Sequence, residues 1–207
     1  MLKIYGKSSS INVRKVLWLC AELDLPYTLE QWGSGFRPTD TDEFRALNPN
    51  ALVPVIQDGQ AVLWESNTIC RYLALRQQRK DLLPDDPLSR ALIEQWMDWQ
   101  ATGLNTAWRY AFMALVRNSP AHTDSGAIEA SIEDWNRHMS ILDAQLAKTG
   151  AYVAGDTFTL ADIVLGLSTH RWFMTPLARP DLTAVEAYYE RLSRRPAYRL
   201  HGRNGTP

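Results

Sequence analysis

The sequence predicts an α/β N-terminal domain with the element order βαβαββα over residues 1–79, followed by an all-α C-terminal domain over residues 88–207. Short strand signals alternate with helical spacing in the first third of the chain. An acidic stretch with two prolines follows at 80–87 and is typical of a linker. Beyond this stretch the strand signals vanish, and 207 residues are enough for two small domains.

The first domain opens with a β–α–β unit. Leu2–Tyr5 predicts a short strand, and the apolar spacing over 12–23 predicts a helix that Pro26 ends. Residues 27–31 predict the second strand. Such a unit implies that the two strands are parallel and joined by a right-handed crossover.

The rest of this domain reads as a short helix, a hairpin and a longer helix. The short helix is expected over 43–47. Strands over 53–57 and 61–64 flank Asp58-Gly59, which is a hairpin signal. A helix over 66–76 closes the domain, and the complete order is that of a thioredoxin-like domain.

The second domain is predicted to contain only helices. One long helix is expected over 88–116 and another over 127–147. Thr159–Asp162 has the spacing of a capping box, with aspartate in place of the usual glutamate, and opens an apolar helix. We assign this box a structural role. Residues 188–192 lie in a last helix, which Pro196 is expected to end.

Composition excludes several classes of function. A net charge of -1 argues against a nucleic-acid partner, and no apolar run reaches membrane length. Two cysteines argue against a disulfide scaffold and fit a reducing compartment, so we expect a cytoplasmic protein without a signal peptide. Cys20 and Cys70 lie in apolar helical segments and are expected to pack in the core. The four histidines lack metal-ligand spacing, and no nucleotide-binding glycine pattern is present.

Two short strings, Val53-Pro54 and Glu65-Ser66, indicate a binding site. Proline lacks a backbone N–H and favours extended geometry in the preceding residue, which leaves the N–H and C=O of Val53 free for a ligand. Ser66 is expected to be the N-cap of the following helix, whose bare N–H groups attract a carboxylate. Glu65 can bind an ammonium group. An extended peptide with an α-amino acid end fits such a site.

With these strings in this order, nearly the whole chain resembles the cytosolic glutathione S-transferase family, and in particular its bacterial theta-like members. The resemblance implies that Leu52, Val53 and Pro54, the last after a cis peptide bond, contact the cysteinyl backbone of glutathione. It implies that Glu65 and Ser66 hold the γ-glutamyl end. Glutathione is then a co-substrate, and no metal or nucleotide is implied.

The loop between the first strand and the first helix offers donors that could stabilise a thiolate. A free thiol has a pKa of about 8.5, so activation requires hydrogen bonds that favour the anion. The resemblance places the catalytic residue in this loop. Ser10 matches the theta-type serine, Ser9 the zeta-type position, and Asn12 the amide of some bacterial relatives. The three stay alternatives, and all of them could instead cap the helix.

One position departs from the family pattern. Relatives often have lysine or glutamine before Val-Pro to hold the glycyl carboxylate, but this chain has Leu52. That side chain cannot bind an anion, so another donor is needed. Arg37 and Asn50 are weak candidates for it.

The resemblance also places the wall of an electrophile pocket on the first long helix of the second domain. Trp108 and Phe112 are four residues apart and share a helix face, with Arg109 beside them. Ordinary core or subunit contact is the alternative for these residues.

These expectations combine into a glutathione transferase. The first domain would bind glutathione and stabilise its thiolate, which attacks an electrophilic or disulfide co-substrate held by the second domain. Two alternatives use the same fold: a glutathione-dependent disulfide or peroxide reductase, and a non-catalytic binding protein. The resemblance also implies a homodimer.

Overall fold

The computed structural model describes residues Met1 to Pro207. Its α/β part confirms the predicted order of strands and helices. The elements are β1 (Leu2–Tyr5), α1 (Ile11–Glu22), β2 (Tyr27–Glu30), α2 (Asp42–Arg45), β3 (Val55–Asp58), β4 (Ala61–Trp64) and α3 (Ser66–Arg76).

The four strands form one mixed sheet in the order β2-β1-β3-β4. β1 is parallel to β2, as the β–α–β pattern predicted, and antiparallel to β3. Tyr5, the last residue of β1, lies opposite Val55, the first residue of β3. This register brings the loop after β1 next to the Val53-Pro54 segment that leads into β3.

The remaining chain is helical, as predicted. Its elements are α4 (Pro87–Trp99), a π-helical turn (Gln100–Leu104), α5 (Asn105–Leu115), α6 (Ser125–Thr149), α7 (Leu160–Met174), α8 (Thr183–Leu192) and α9 (Pro196–His201). None of these helices combines the length and the hydropathy that a transmembrane span requires.

The single helix predicted over 88–116 is interrupted by the π-helical turn. A π turn holds an extra residue and rotates the helix beyond it relative to the helix before it. Both Gln100 and Leu104 are fully buried in this turn. The sequence pattern missed the interruption because the apolar spacing is helical on both sides of it.

The prediction that Pro196 ends the last helix is wrong. The proline is instead the first residue of α9, a position where its fixed φ suits the helix and its missing N–H is not needed. α9 returns the chain to the first helix, because the ring of buried Tyr198 lies 4.6 Å from the ring of Trp18 in α1.

A single cluster of 40 buried residues extends through both parts of the chain. The domain limits of 1–79 and 88–207 therefore stay a prediction. α7 lies at the centre of this core, with Leu160–Trp172 buried on every side. Cys20 and Cys70 also lie in the core, where burial raises the pKa of both thiols to about 12 and keeps them protonated.

The capping box at the start of α7 is fully buried. The Asp162 carboxylate accepts hydrogen bonds from Thr159 N at 2.8 Å and Thr159 Oγ1 at 3.1 Å, and also from Val153 N at 3.0 Å. The Tyr188 hydroxyl donates to it at 3.1 Å. Burial raises the pKa of Asp162 to about 6 despite these donors. One carboxylate thus joins the start of α7 to the preceding loop and to α8.

We expect Asp162→Ala to lower the free energy of unfolding by at least about 3 kcal/mol, because each buried donor left without an acceptor costs about 1–3 kcal/mol. Urea unfolding measures the loss. Asp162→Asn keeps one acceptor oxygen and should fall between the wild type and the alanine variant.

Asp124→Ala is the matched control for this substitution. Asp124 caps α6 through one surface hydrogen bond from Ala127 N at 2.7 Å, so its loss should cost about 1 kcal/mol. Similar losses for both alanine variants would contradict a special role of the buried carboxylate.

Candidate functional site

An open stretch of backbone lies at the entrance to β3. The Val53-Pro54 peptide bond is cis. The N–H and C=O of Val53 take part in neither the sheet ladder nor the hydrogen bonds of the loops. A Cβ atom on Gly6 would lie 2.5 Å from Val13 Cγ2 and 3.4 Å from Val53 Cβ, so only glycine lets the loop after β1 pass this closely.

Glu65 and Ser66 stand at the junction of β4 and α3, but the N-cap lies one residue earlier than the predicted Ser66. Glu65 occupies the N-cap with φ 72 and ψ 108, and Ser66 is the first helical residue. The first hydrogen bond of the helix runs from Ile69 N to Glu65 O, so the N–H groups before Ile69 are bare. The Ser66 hydroxyl and the Glu65 carboxylate have no partner within the chain. The pair therefore offers hydrogen-bond donors to a bound anion, and beside them lies the unpaired Glu65 carboxylate.

The loop before α1 also keeps its donors free. Ser10 is the N-cap of α1 by its backbone, yet its side chain makes no capping hydrogen bond. The side chains of Ser9 and Asn12 make none either, and Arg14 N is the first helical donor, to Ser10 O at 2.9 Å. The alternative that these side chains only cap the helix is thus not what the structure shows. A helix N-terminus with unused donors favours an anion.

Two clefts meet at this helix start. The polar cleft, of about 230 Å³, is lined by residues of α1, α3 and the helical half, among them Asn12, Lys15, Glu65 and Ser66. The aromatic cleft, of about 240 Å³, is lined by Ile11, Asn12, Ala101, Asn105, Thr106, Trp108 and Arg109. Asn12 lines both clefts, whereas Ser9 and Ser10 line neither.

The structure separates the three residues expected at the electrophile wall. Trp108 and Arg109 line the aromatic cleft. Phe112 does not, since its side chain is only 3% exposed and its ring centre lies 5.4 Å behind that of Trp108. The expectation of a wall position is therefore corrected for Phe112, which supports the Trp108 ring from the core.

The candidate donors for a glycyl carboxylate are already engaged. The Leu52 side chain is 64% exposed beside the open backbone of Val53, but it has no group that can bind a carboxylate. Arg37 pairs with Glu43 at 2.9 Å and stacks 3.9 Å from the centre of the Trp32 ring. Asn50 Nδ2 donates to Asn48 Oδ1 at 3.0 Å. The roles of Arg37 and Asn50 stay predictions.

A buried ammonium group behind the polar cleft was missed by the sequence reading. Lys15 Nζ donates to Asn67 Oδ1 at 3.0 Å and to Gln100 Oε1 at 2.8 Å. Gln100 Nε2 in turn donates to Asn105 Oδ1 at 2.9 Å, and Trp108 Nε1 donates to the same oxygen at 3.0 Å. The only sequence signal was a lysine on the apolar side of α1. This network fixes the position of both clefts relative to each other.

Comparison with known proteins gives the family. The profile described as "Glutathione S-transferase, N-terminal domain" matches residues 9–76, and "Glutathione S-transferase, C-terminal domain" matches residues 125–191. The protein named "Glutathione S-transferase GstB" from Escherichia coli (strain K12) is 38% identical over 201 residues, which are 96% of each chain. The chain belongs to the glutathione S-transferase family.

A solved structure and a plant relative agree with this assignment. The theta class glutathione S-transferase of Xanthomonas axonopodis pv. citri, crystallised with glutathione bound, has a TM-score of 0.90 at 40% identity over 97% of this chain and 96% of its own. "Glutathione S-transferase 3" of Zea mays is 32% identical over 208 residues, covering 95% of this chain and 91% of its own. The resemblance to theta-like transferases, the fold and the transferase activity expected from sequence are confirmed.

The backbone of Glu65 provides a test of strain at the start of α3. A non-glycine residue at φ 72 costs on the order of 1–3 kcal/mol. We therefore expect Glu65→Gly to be more stable than Glu65→Ala by about 1 kcal/mol in urea unfolding, because glycine relieves the strain and alanine keeps it.

Thr68 supplies the matched pair for this measurement. It is exposed in the first turn of α3 with ordinary helical backbone, so Thr68→Gly should be less stable than Thr68→Ala by about 1 kcal/mol. The glycine variant should thus be the more stable of the two at position 65 and the less stable at position 68. If glycine were the less stable variant at both positions, Glu65 would not be strained.

The buried Lys15 predicts a pH dependence of stability. Burial lowers the pKa of its ammonium group to about 8, whereas the pKa in the unfolded chain is about 10.4. Between these values the unfolded chain binds more protons, so the free energy of unfolding rises with pH. We expect the wild type to gain on the order of 2–3 kcal/mol relative to Lys15→Met between pH 8 and pH 10.5.

Urea unfolding at pH 7, 9 and 10.5 measures this difference. Lys148→Met, a change on the exposed face of α6, should keep the pH dependence of the wild type. Parallel curves for the wild type and Lys15→Met would be incompatible with a depressed lysine pKa.

Proposed function

We propose that this transferase binds glutathione in the polar cleft and that Asn12 donates to its sulfur. The observation that supports this is the position of Asn12, which lines both the polar and the aromatic cleft. The sulfur atom belongs to a peptide bound in the polar cleft and reacts with a co-substrate in the aromatic cleft. It therefore has to lie where the two clefts meet. Ser10 and Ser9 stay alternatives, because their free hydroxyl groups lie in the same loop.

The ends of glutathione find complementary groups in the polar cleft. The γ-glutamyl carboxylate accepts from the Ser66 hydroxyl and from the bare N–H groups at the start of α3. The ammonium group pairs with Glu65. The cysteinyl backbone runs antiparallel to the open N–H and C=O of Val53, beside Leu52 and Pro54. Glutathione is the co-substrate in this arrangement, and its own thiol supplies the reactive atom.

The site has to lower the thiol pKa so that the anion predominates near neutrality. Two pKa units correspond to about 2.7 kcal/mol of preference for the thiolate. A hydrogen bond to a charged acceptor supplies about 1.5–3 kcal/mol, and a helix N-terminus adds about 0.3–1 kcal/mol. The Asn12 amide and the start of α1 are thus of the right size. The released proton goes to solvent.

The thiolate then attacks an electrophilic carbon held in the aromatic cleft against Trp108 and Arg109. The carbon–sulfur bond forms as the bond from that carbon to its leaving group breaks, and the leaving group departs with the electron pair. Reduction through a protein thiol finds no support, because both cysteines are buried and protonated.

We also propose a homodimer. An exposed apolar stripe runs along α4, with Leu88 69% and Leu92 46% exposed one helical turn apart. Trp96 and Trp99 continue it and form a shallow apolar hollow with Ile141 of α6. Contiguous apolar surface of this kind marks an association site, and a second copy of the chain would cover it.

Alanine variants distinguish the thiol donors. We expect Asn12→Ala to raise the pKa of bound glutathione by about 1–2 units, which lowers the thiolate fraction, and with it conjugation at pH 7, by about 3- to 25-fold. Ser10→Ala should change this pKa by less than about 0.5 units. Ultraviolet titration of the thiolate in the complex measures the pKa.

Calorimetry with glutathione is the control for binding. Both variants should bind glutathione within a few-fold of the wild type, since the groups proposed to hold the γ-glutamyl end and the cysteinyl backbone are unchanged. If Ser10→Ala shifted the pKa and Asn12→Ala did not, Ser10 would be the donor and the assignment to Asn12 would fail. Absence of binding at millimolar glutathione would instead support the non-catalytic alternative.

A further inference from the structure

An arginine without a counter-ion is buried next to the aromatic cleft. Arg171 of α7 is only 3% exposed, and its guanidinium group makes no hydrogen bond or ion pair within the chain. Its Nε atom is fully enclosed without a partner. Its terminal nitrogens make no hydrogen bond either, and they are not among the fully enclosed atoms. Buried charges in proteins are normally paired, so this one requires an explanation.

The guanidinium group is packed against aromatic rings that form or support the cleft wall. Its Cζ atom lies 4.4 Å from the centre of the Trp108 ring and 4.1 Å from the centre of the Phe112 ring. These contacts are favourable for a cation, but they do not replace an anionic partner. Trp108 lines the aromatic cleft directly. Arg171 therefore lies behind the wall of the aromatic cleft, in contact with the Trp108 ring.

The charged groups that act on Arg171 are also positive. Burial lowers the pKa of Arg171, and the charges of Arg14 and Arg117 add to this effect, so that the pKa falls to about 9 and the group stays cationic at neutral pH. Arg14 is itself buried and donates to Asn204 Oδ1 at 3.1 Å, Thr206 O at 2.6 Å and Pro207 O at 3.3 Å. None of these three arginines forms an ion pair with an aspartate or glutamate side chain.

The aromatic cleft has the same charge imbalance. Arg109 is the only charged residue that lines it, and this side chain has no hydrogen bond or ion pair. All other lining residues are neutral. A cleft with one free arginine in its wall and an uncompensated one behind it carries a positive potential.

We propose that the electrophilic co-substrate carries an acidic group, in the simplest case a carboxylate, for which Arg109 is the contact residue and Arg171 a positioning residue. This inference rests on the proposed function and specifies its second substrate. An aromatic acid would lie against Trp108 with its carboxylate towards Arg109. Arg171 would hold the Trp108 ring and supply a second positive charge within the low-dielectric wall.

Paired substrates test charge selectivity. The probes are 4-chloro-3-nitrobenzoate and 4-chloro-3-nitrobenzamide, which have the same ring and leaving group. The kcat/KM for each is divided by its uncatalysed rate constant with glutathione, which removes the difference in intrinsic reactivity. We expect the wild type to favour the benzoate by at least about tenfold.

Variants assign this selectivity to residues. Arg171→Met keeps an apolar stem against the rings and should lower the ratio by about three- to tenfold, while Arg171→Lys keeps the charge and should restore it to within about twofold. Arg109→Met should lower the ratio at least as much. Arg194→Met is the matched control, because this exposed arginine follows the end of α8 and has no side-chain partner; it should leave the ratio unchanged.

Calorimetry with 3-nitrobenzoate and 3-nitrobenzamide, which lack the leaving group, measures the same preference without chemistry. Equal affinities of the wild type for both ligands would overturn the proposal. So would an Arg171→Met variant with an unchanged ratio of the corrected kcat/KM values for benzoate and benzamide. If the protein conjugated neither chlorinated probe and did not bind glutathione, the proposed function would fail, and the two nitro ligands would still decide the charge preference. If Arg171→Met did not fold, the wild type and Arg171→Lys would decide it.

Discussion

A buried ammonium group shared between two halves of the molecule determines how the site is built. Lys15 Nζ on α1 reaches Asn67 of α3 and Gln100 of the helical half, and all of its acceptors are neutral. Because a buried charge tolerates few alternative arrangements, this contact fixes the start of α1 against the π-helical turn. Lys15 lines the polar cleft, and Trp108 and Asn105 line the aromatic cleft. The two clefts meet at Asn12, Ala101 and Asn105, which line both of them.

Around this contact the fold leaves polar groups unused. Side chains cap the starts of α2, α4 and α6, where Thr41, Asp86 and Asp124 accept from the first turn. The starts of α1 and α3 have no such cap, since the side chains of Ser10 and Glu65 accept nothing there. The starts of α8 and α9 also lack an N-cap side chain, but Val185 N of α8 donates to Asp143 and α9 begins with a proline that has no N–H. Unused N–H groups and a strained residue reduce stability, and both are concentrated where an anionic ligand would compensate for them.

The two clefts differ in charge, and this difference separates their roles. The polar cleft combines bare donors with the free Glu65 carboxylate, which suits the zwitterionic end of a peptide. The aromatic cleft combines the Trp108 ring with Arg109 and, behind the wall, Arg171. The same fold can therefore carry, beside the polar cleft, a second cleft of a different charge.

The sequence by itself determined the order of strands and helices, because strand alternation, helical spacing and turn chemistry are local properties. It also showed that Val53-Pro54 and Glu65-Ser66 occur together in one domain. Only the tertiary structure decided what depends on distant neighbours. It showed the π-helical turn, the helix start at Pro196, the core position of Phe112, and the partners of Lys15. It also placed Asn12, and not Ser10, in the lining of both clefts. Burial and the absence of a counter-ion are properties of the packed chain, and helical periodicity is the same with or without them.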